Sequence, residues 1–132
     1  LDSERTELGR YKPDGLTFRI IGAAMAVHSK MGPGLFESIY ENSLCIELVR
    51  GGISYERQKR FPVLYDGVDV GELIADLVIE ETVIVELKSV KELLPIHEAQ
   101  VIAYLRAARL RTGLLINFNV VSLKSGIRRI SV

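Results

Sequence analysis

The sequence predicts an α/β domain, a mixed central β-sheet flanked by α-helices in the order α-α-β-β-β-β-α-β-β. Three observations predict this class. Residues 16 to 50 place apolar side chains at helical spacing. Residues 53 to 90 then switch to short apolar runs separated by turn residues. A single helical segment divides that block from two closing strands.

Residues 1 to 14 (LDSERTELGRYKPD) are polar and aperiodic, and are expected to form an N-terminal tail. Residues 15 to 132 then make one domain, long enough to bury about two-thirds of its unfolded surface. From Leu16 to Met31, Leu16, Ile20, Ala23, Ala24 and Val27 fall at helical spacing. Gly32-Pro33-Gly34 ends that helix. A second helix is expected from Leu35 to Arg50, closed by Gly51-Gly52. Ile53 to Arg57 and Arg60 to Tyr65 read as two strands, followed by Asp66-Gly67 as a hairpin turn. Val68 to Glu80 and Thr82 to Val90 read as two more. Leu93 to Leu110 is helical. Thr112 to Asn119 and Ile127 to Val132 close the domain, joined by a turn near Lys124-Ser125-Gly126.

Composition excludes several classes. Hydrophobic residues make up 48% and charged residues 26%, the balance of a globular domain and not of a disordered chain. One cysteine rules out a disulfide framework, and one Cys with two His argues against a Cys/His zinc site. No run reaches the ~18 apolar residues of a membrane span, and no signal-peptide pattern opens the chain. The expected location is the cytoplasm. No phosphate-binding loop or dinucleotide fingerprint is present, so neither ATP nor NAD is implied.

Net charge is zero, yet it is unevenly spread. Residues 99 to 132 carry Arg106, Arg109, Arg111, Lys124, Arg128 and Arg129 with no acid, a charge of +6. The first 98 residues carry −6. A basic final third beside an acidic cluster suits a polyanion near a metal site. Ordinary solvated arginines are the plain alternative.

The most informative strand is Val83-Ile84-Val85-Glu86-Leu87-Lys88-Ser89-Val90. Strand side chains alternate, so Ile84, Glu86 and Lys88 share one face. On the preceding strand Ile74, Asp76 and Val78 share a face. Pairing around Glu81 sets Asp76 opposite Glu86 or one residue off, with Cβ atoms ~5 Å apart. Two carboxylates that close repel unless a cation or a proton intervenes. A hard divalent ion takes oxygen ligands of this kind. The plain alternative is a solvent-facing polar strand side. In the helix that follows, His97, Gln100 and Tyr104 lie on one stripe. In the second helix Glu37 and Tyr40 share a side, and Glu37 could simply be a solvated first-turn glutamate.

These residues resemble a known family. Glu37, Asp76, Glu86-Leu87-Lys88 and Gln100-Val101-Ile102-Ala103-Tyr104 follow the motif order of the PD-(D/E)XK nuclease superfamily. The last pattern resembles the QxxxY signature of its RecB-like exonuclease branch. Gly34-Leu35-Phe36-Glu37-Ser38-Ile39-Tyr40 resembles the GxxExxY signature of a family of small prokaryotic proteins within it. The resemblance covers about residues 16 to 132 and departs at Ala75, where the superfamily name has proline.

The resemblance implies a restriction-endonuclease-like core and a metal-dependent phosphodiesterase. Asp76 and Glu86 would bind Mg²⁺ or Mn²⁺, with the Leu87 carbonyl as a third ligand. Lys88 would position or deprotonate the attacking water. Glu37 would complete the metal site or hold a second metal through water. Gln100 would support Lys88 or the scissile phosphate, and Tyr104 would contact the phosphate or pack behind Gln100. Arg106, Arg109 and Arg111 would engage flanking phosphates. The implied partner is nucleic acid, DNA rather than RNA, with no membrane. A homodimer would enlarge the binding surface of so small a chain. Three other readings stay open: a nucleic-acid-binding module or partner-dependent subunit that does not cut, a cysteine enzyme using Cys45 with His28 or His97, and a structural protein whose acidic cluster is incidental.

Overall fold

The computed structural model describes residues 13–132. The tail expected over residues 1 to 14 lies outside the described residues as far as residue 12. Helix α1 (Pro13–Met31) starts earlier than apolar spacing suggests, with proline in the first turn, where no intrahelical N–H is needed. Gly32 ends α1 in a left-handed conformation, its N–H reaching the His28 carbonyl at 2.8 Å. Helix α2 (Glu37–Arg50) follows after a short turn. Its buried stripe is Tyr40, Glu41, Leu44, Cys45 and Leu48.

Five strands form one sheet in the order β1-β2-β3-β4-β5: β1 (Tyr55–Tyr65), β2 (Val68–Ile79), β3 (Val83–Lys88), β4 (Thr112–Asn117) and β5 (Ile127–Ser131). The strands expected at Ile53–Arg57 and Arg60–Tyr65 are a single strand, so the sheet has five members and not six. Gln58 and Lys59 read as a break because they interrupt the apolar pattern, yet the pairing with β2 skips only Gln58 and resumes at Lys59↔Ala75. Asp66 and Gly67 both have positive φ, the twist-matched two-residue hairpin turn.

Only β3 and β4 are parallel, and helix α3 (Pro95–Ala108) makes the crossover that a parallel pair requires. Both strands are almost wholly buried, as expected of strands covered on two faces. Helices α1 and α2 cover one face over Leu77, Ile79, Val83, Val85, Leu87, Leu114 and Ile116. Helix α3 covers the other over Val78, Ile84, Leu115 and Ile130. It lies close because residue 113 is glycine: a Cβ there would stand 2.6 Å from Val101 Cγ1. This is the mixed α/β sandwich that the sequence predicts. Among the described residues no helix is long and apolar enough to cross a membrane.

The β1–β2 hairpin changes faces partway along. Leu77 packs beneath α1 and α2, but Ala75, two residues earlier, packs beneath α3. Across the ladder Tyr55 and Phe61 divide in the same way. The register places Gln58 between Arg57↔Leu77 and Lys59↔Ala75, opposite Asp76. Gln58 has φ 50, in the left-handed region. The alternation therefore resets at the Gln58–Asp76 position.

Candidate active site

The β2–β3 ladder runs from Ile79↔Val83 to Leu77↔Val85 and then stops. Continuing the register sets Asp76 across from Glu86. At that point side chains replace the backbone ladder. The Asp76 N–H donates to Glu86 Oε1 at 2.8 Å, and the Leu87 N–H donates to Asp76 Oδ2 at 2.9 Å. Two backbone donors that the ended ladder would leave unpaired are thereby satisfied.

Burial makes both carboxylates hard to ionise. Glu86 is only 6% exposed, and its pKa is pushed up to about 8, first by burial and then by the charge of Asp76. Asp76 is also raised, mainly by burial, with the Leu87 N–H working against the shift. Glu86 Oε2 takes no hydrogen bond from the described residues. Two buried carboxylates with an oxygen to spare fit a hard divalent cation, which would remove the repulsion that raises both values.

Lys88 is half-buried on the same strand, and its charge acts on both carboxylates. Its ammonium makes no hydrogen bond or ion pair with the described residues. Tyr104 packs on the α3-side core, and its pKa is raised by burial, then by Glu86 and Asp76. Gln100 is exposed one turn earlier on α3. Glu37 is the exposed first residue of α2; its charge reaches Glu86, but it makes no bond to it. Among the described residues no three acidic, histidine or cysteine side chains are placed to hold one ion. The structure therefore brings Asp76, Glu86, Lys88 and Tyr104 together and leaves Glu37 and Gln100 at the margin.

Arg106 and Arg109 line a groove of about 540 Å³ between α3 and the outer part of the β1–β2 hairpin, over Val63, Leu64, Leu73 and Ala103. Arg111, two residues beyond Arg109, does not line that groove. It precedes Thr112, which is level with Val83 at the opposite end of β3 from Lys88. Three strand positions, roughly 10 Å, separate that level from Glu86.

Two residues near the carboxylates escaped the sequence reading. Glu41 is 7% exposed and accepts from Arg57 and from Gln58. Gln58 also donates to Asp76 Oδ1 at 3.3 Å. Glu41 left a signal, an acid inside the apolar stripe of α2. Gln58 left none.

The remaining candidates have structural roles. Tyr40 is fully buried, donates from its hydroxyl to the Gly32 carbonyl at 2.6 Å and accepts from the Leu35 N–H at 3.1 Å. His97 caps α3, its Nδ1 accepting from the Leu94 N–H at 3.0 Å. His28 Nε2 is engaged with the Val120 carbonyl at 2.8 Å. The Cys45 thiol is buried and its pKa is pushed up, chiefly by burial. It lies across the sheet from His97. A buried thiol with a raised pKa is a weak nucleophile, and both histidines are bonded elsewhere, which argues against the cysteine-enzyme reading.

A family model described as the PD-(D/E)XK nuclease superfamily matches residues 14–130. No curated protein and no solved structure matches the chain.

Proposed function

The chain belongs to the PD-(D/E)XK nuclease superfamily, and from that premise we propose that it is a divalent-metal-dependent nuclease that hydrolyses phosphodiester bonds. The observation that carries this reading is the Asp76–Glu86 pair bridging the opened β2–β3 ladder, with Lys88 on the same strand. An ion there, Mg²⁺ or Mn²⁺, would supply charge at the phosphate and acidify water. Asp76 and Glu86 would hold it. In a strand the N–H and C=O of one residue point to the same edge, so the Leu87 carbonyl faces the gap as a third oxygen donor. Glu37, exposed at the start of α2, would complete the ion site or hold a second ion through water.

Lys88, whose ammonium makes no hydrogen bond or ion pair with the described residues, orients or deprotonates the attacking water. Gln100 supports Lys88 or the scissile phosphate, and Tyr104 contacts the phosphate or packs behind Gln100. Arg106 and Arg109 take flanking phosphates along their groove, and Arg111, two residues on, extends that basic surface. The Gln100-to-Tyr104 pattern resembles that of exonucleases acting on DNA ends, which favours DNA over RNA. A homodimer would extend the binding surface, and a cytoplasmic location suits such a substrate.

The test incubates the chain with supercoiled plasmid, linear duplex, and single-stranded DNA and RNA, in Mg²⁺, Mn²⁺ or EDTA, beside Asp76→Ala and Lys88→Ala. Metal-dependent cleavage that both variants lose is expected. One observation favours a second reading, a binding module that does not cut: no third acidic side chain joins Asp76 and Glu86 among the described residues. Nucleic-acid binding without cleavage, in every metal, would replace the first reading with the second.

A further inference from the structure

Gln58 Nε2 sits between two carboxylates, donating to Glu41 Oε1 at 2.9 Å and to Asp76 Oδ1 at 3.3 Å. An Asp76 that holds a cation is ionised and its oxygens only accept, so the Gln58 amide turns its NH₂ group to it and to Glu41. Glu41 is itself anchored. Its Oε2 accepts from Arg57 Nη2 at 2.7 Å and Nε at 3.1 Å, and Arg57 Nη2 also reaches Asn42 Oδ1 at 2.6 Å. A chain of bonds thus runs from α2 through β1 to Asp76. The Gln58 backbone is left-handed, which costs a non-glycine residue about 1 kcal/mol or more and persists where surrounding contacts impose it.

We infer that Gln58 is a positioning residue for Asp76, and that Glu41, fixed by Arg57, is its anchor. This rests on the reading of Asp76 and Glu86 as the ion-binding pair. Asp76 Oδ2 is already tied to the Leu87 N–H, so that bond alone leaves the carboxylate free to swing about it. The Gln58 bond fixes the plane of the group, and each oxygen keeps a second lone pair for a cation. Partners that orient a metal ligand typically change affinity or activity by about ten- to a hundredfold when removed.

Gln58→Gly removes the amide and suits the left-handed backbone, so it spares the fold. Gln58→Asn is a second variant: asparagine tolerates this φ, but it is one methylene too short to span both carboxylates. The experiment titrates Mn²⁺ alone into each purified chain by calorimetry, then measures kcat and KM on the substrate that wild type cleaves. Both variants are expected to lose about ten- to a hundredfold in Mn²⁺ affinity or kcat, with KM and melting temperature close to wild type. Wild-type affinity and kcat in both variants would overturn the relay.

Failure of the ion-site reading looks different: wild type then takes up no Mn²⁺, or its uptake survives Asp76→Ala. In that case hydrogen exchange of the Gln58 side-chain amide decides the relay separately. Slow exchange that Asp76→Ala and Glu41→Ala each accelerate supports it. Fast exchange in wild type overturns it.

Discussion

The Tyr40 ring lies flat on Phe118, with centroids 4.5 Å apart and planes 9° apart. The Phe118 N–H in turn donates to the Lys88 carbonyl at 2.9 Å. The tyrosine of the GxxExxY pattern thus supports the strand end that carries Lys88, while its hydroxyl ties the turn between α1 and α2. Tyr40→Phe keeps the stack but strands a half-buried carbonyl and N–H, and should cost about 1–3 kcal/mol. Tyr40→Ala also opens a cavity and should cost about 3–5 kcal/mol. Urea unfolding of the two variants measures both.

Lys88→Met should separate chemistry from stability. The ammonium has no partner among the described residues, so its loss should move the unfolding free energy by less than about 1 kcal/mol. Cleavage should fall by about a hundredfold or more, the scale of a positioned proton-transfer group. A variant that unfolds but still cuts would reverse both roles.

Glu86 should make the metal-free protein sensitive to pH. Its folded pKa of about 8 lies above the ordinary carboxylate value, so the folded chain keeps a proton that the unfolded chain releases. Its contribution to stability is full below the unfolded pKa of ~4.3 and is lost as the pH rises through about 8. Melting temperature without metal should therefore fall from pH 5 to pH 8.5. Saturating Mn²⁺ should flatten the profile, because ion binding favours the charged form. Glu86→Gln should flatten it too, raise stability at the alkaline end and abolish cleavage.

Arg106→Ala combined with Arg109→Ala should weaken nucleic-acid binding and reduce the slope of log K against log salt by about 2, one unit per lost phosphate contact. Arg111→Ala, outside that groove, should change the slope less than the double substitution does. Fluorescence anisotropy over a salt series reads both.

Gly113→Ala should destabilise the fold by about 1–3 kcal/mol, because the added Cβ would press on Val101 and lift α3 from β4. Thermal unfolding reads the loss. A neutral result would mean that α3 can retreat without strain.

Much of this was legible in the chain. The alternation through Val83-Ile84-Val85-Glu86-Leu87-Lys88 fixes which side chains share a face, because a strand buried on both sides shows any charge as an exception. Asp76 was legible as the acid that the next turn folds back onto that strand. What stayed hidden depends on a single backbone torsion. With Gln58 left-handed, β1 and β2 reverse their inward parity, so Ile74 and Asp76 cannot be assigned one face by counting in twos. Glu41 was hidden differently: its partners Arg57 and Gln58 lie 16 and 17 positions away, and no local spacing relates them.

Asp76 and Glu86 each hold a backbone amide that the interrupted ladder leaves without a carbonyl. That bond has its own selective value. A descendant that had ceased to cut nucleic acid would still be under pressure to retain both acids, or their amides, to keep β2 and β3 joined. Retention of these two positions across relatives therefore tracks folding as much as catalysis. Lys88 carries no such second duty, and drift at that position is the earlier mark of a lineage that has given up the reaction.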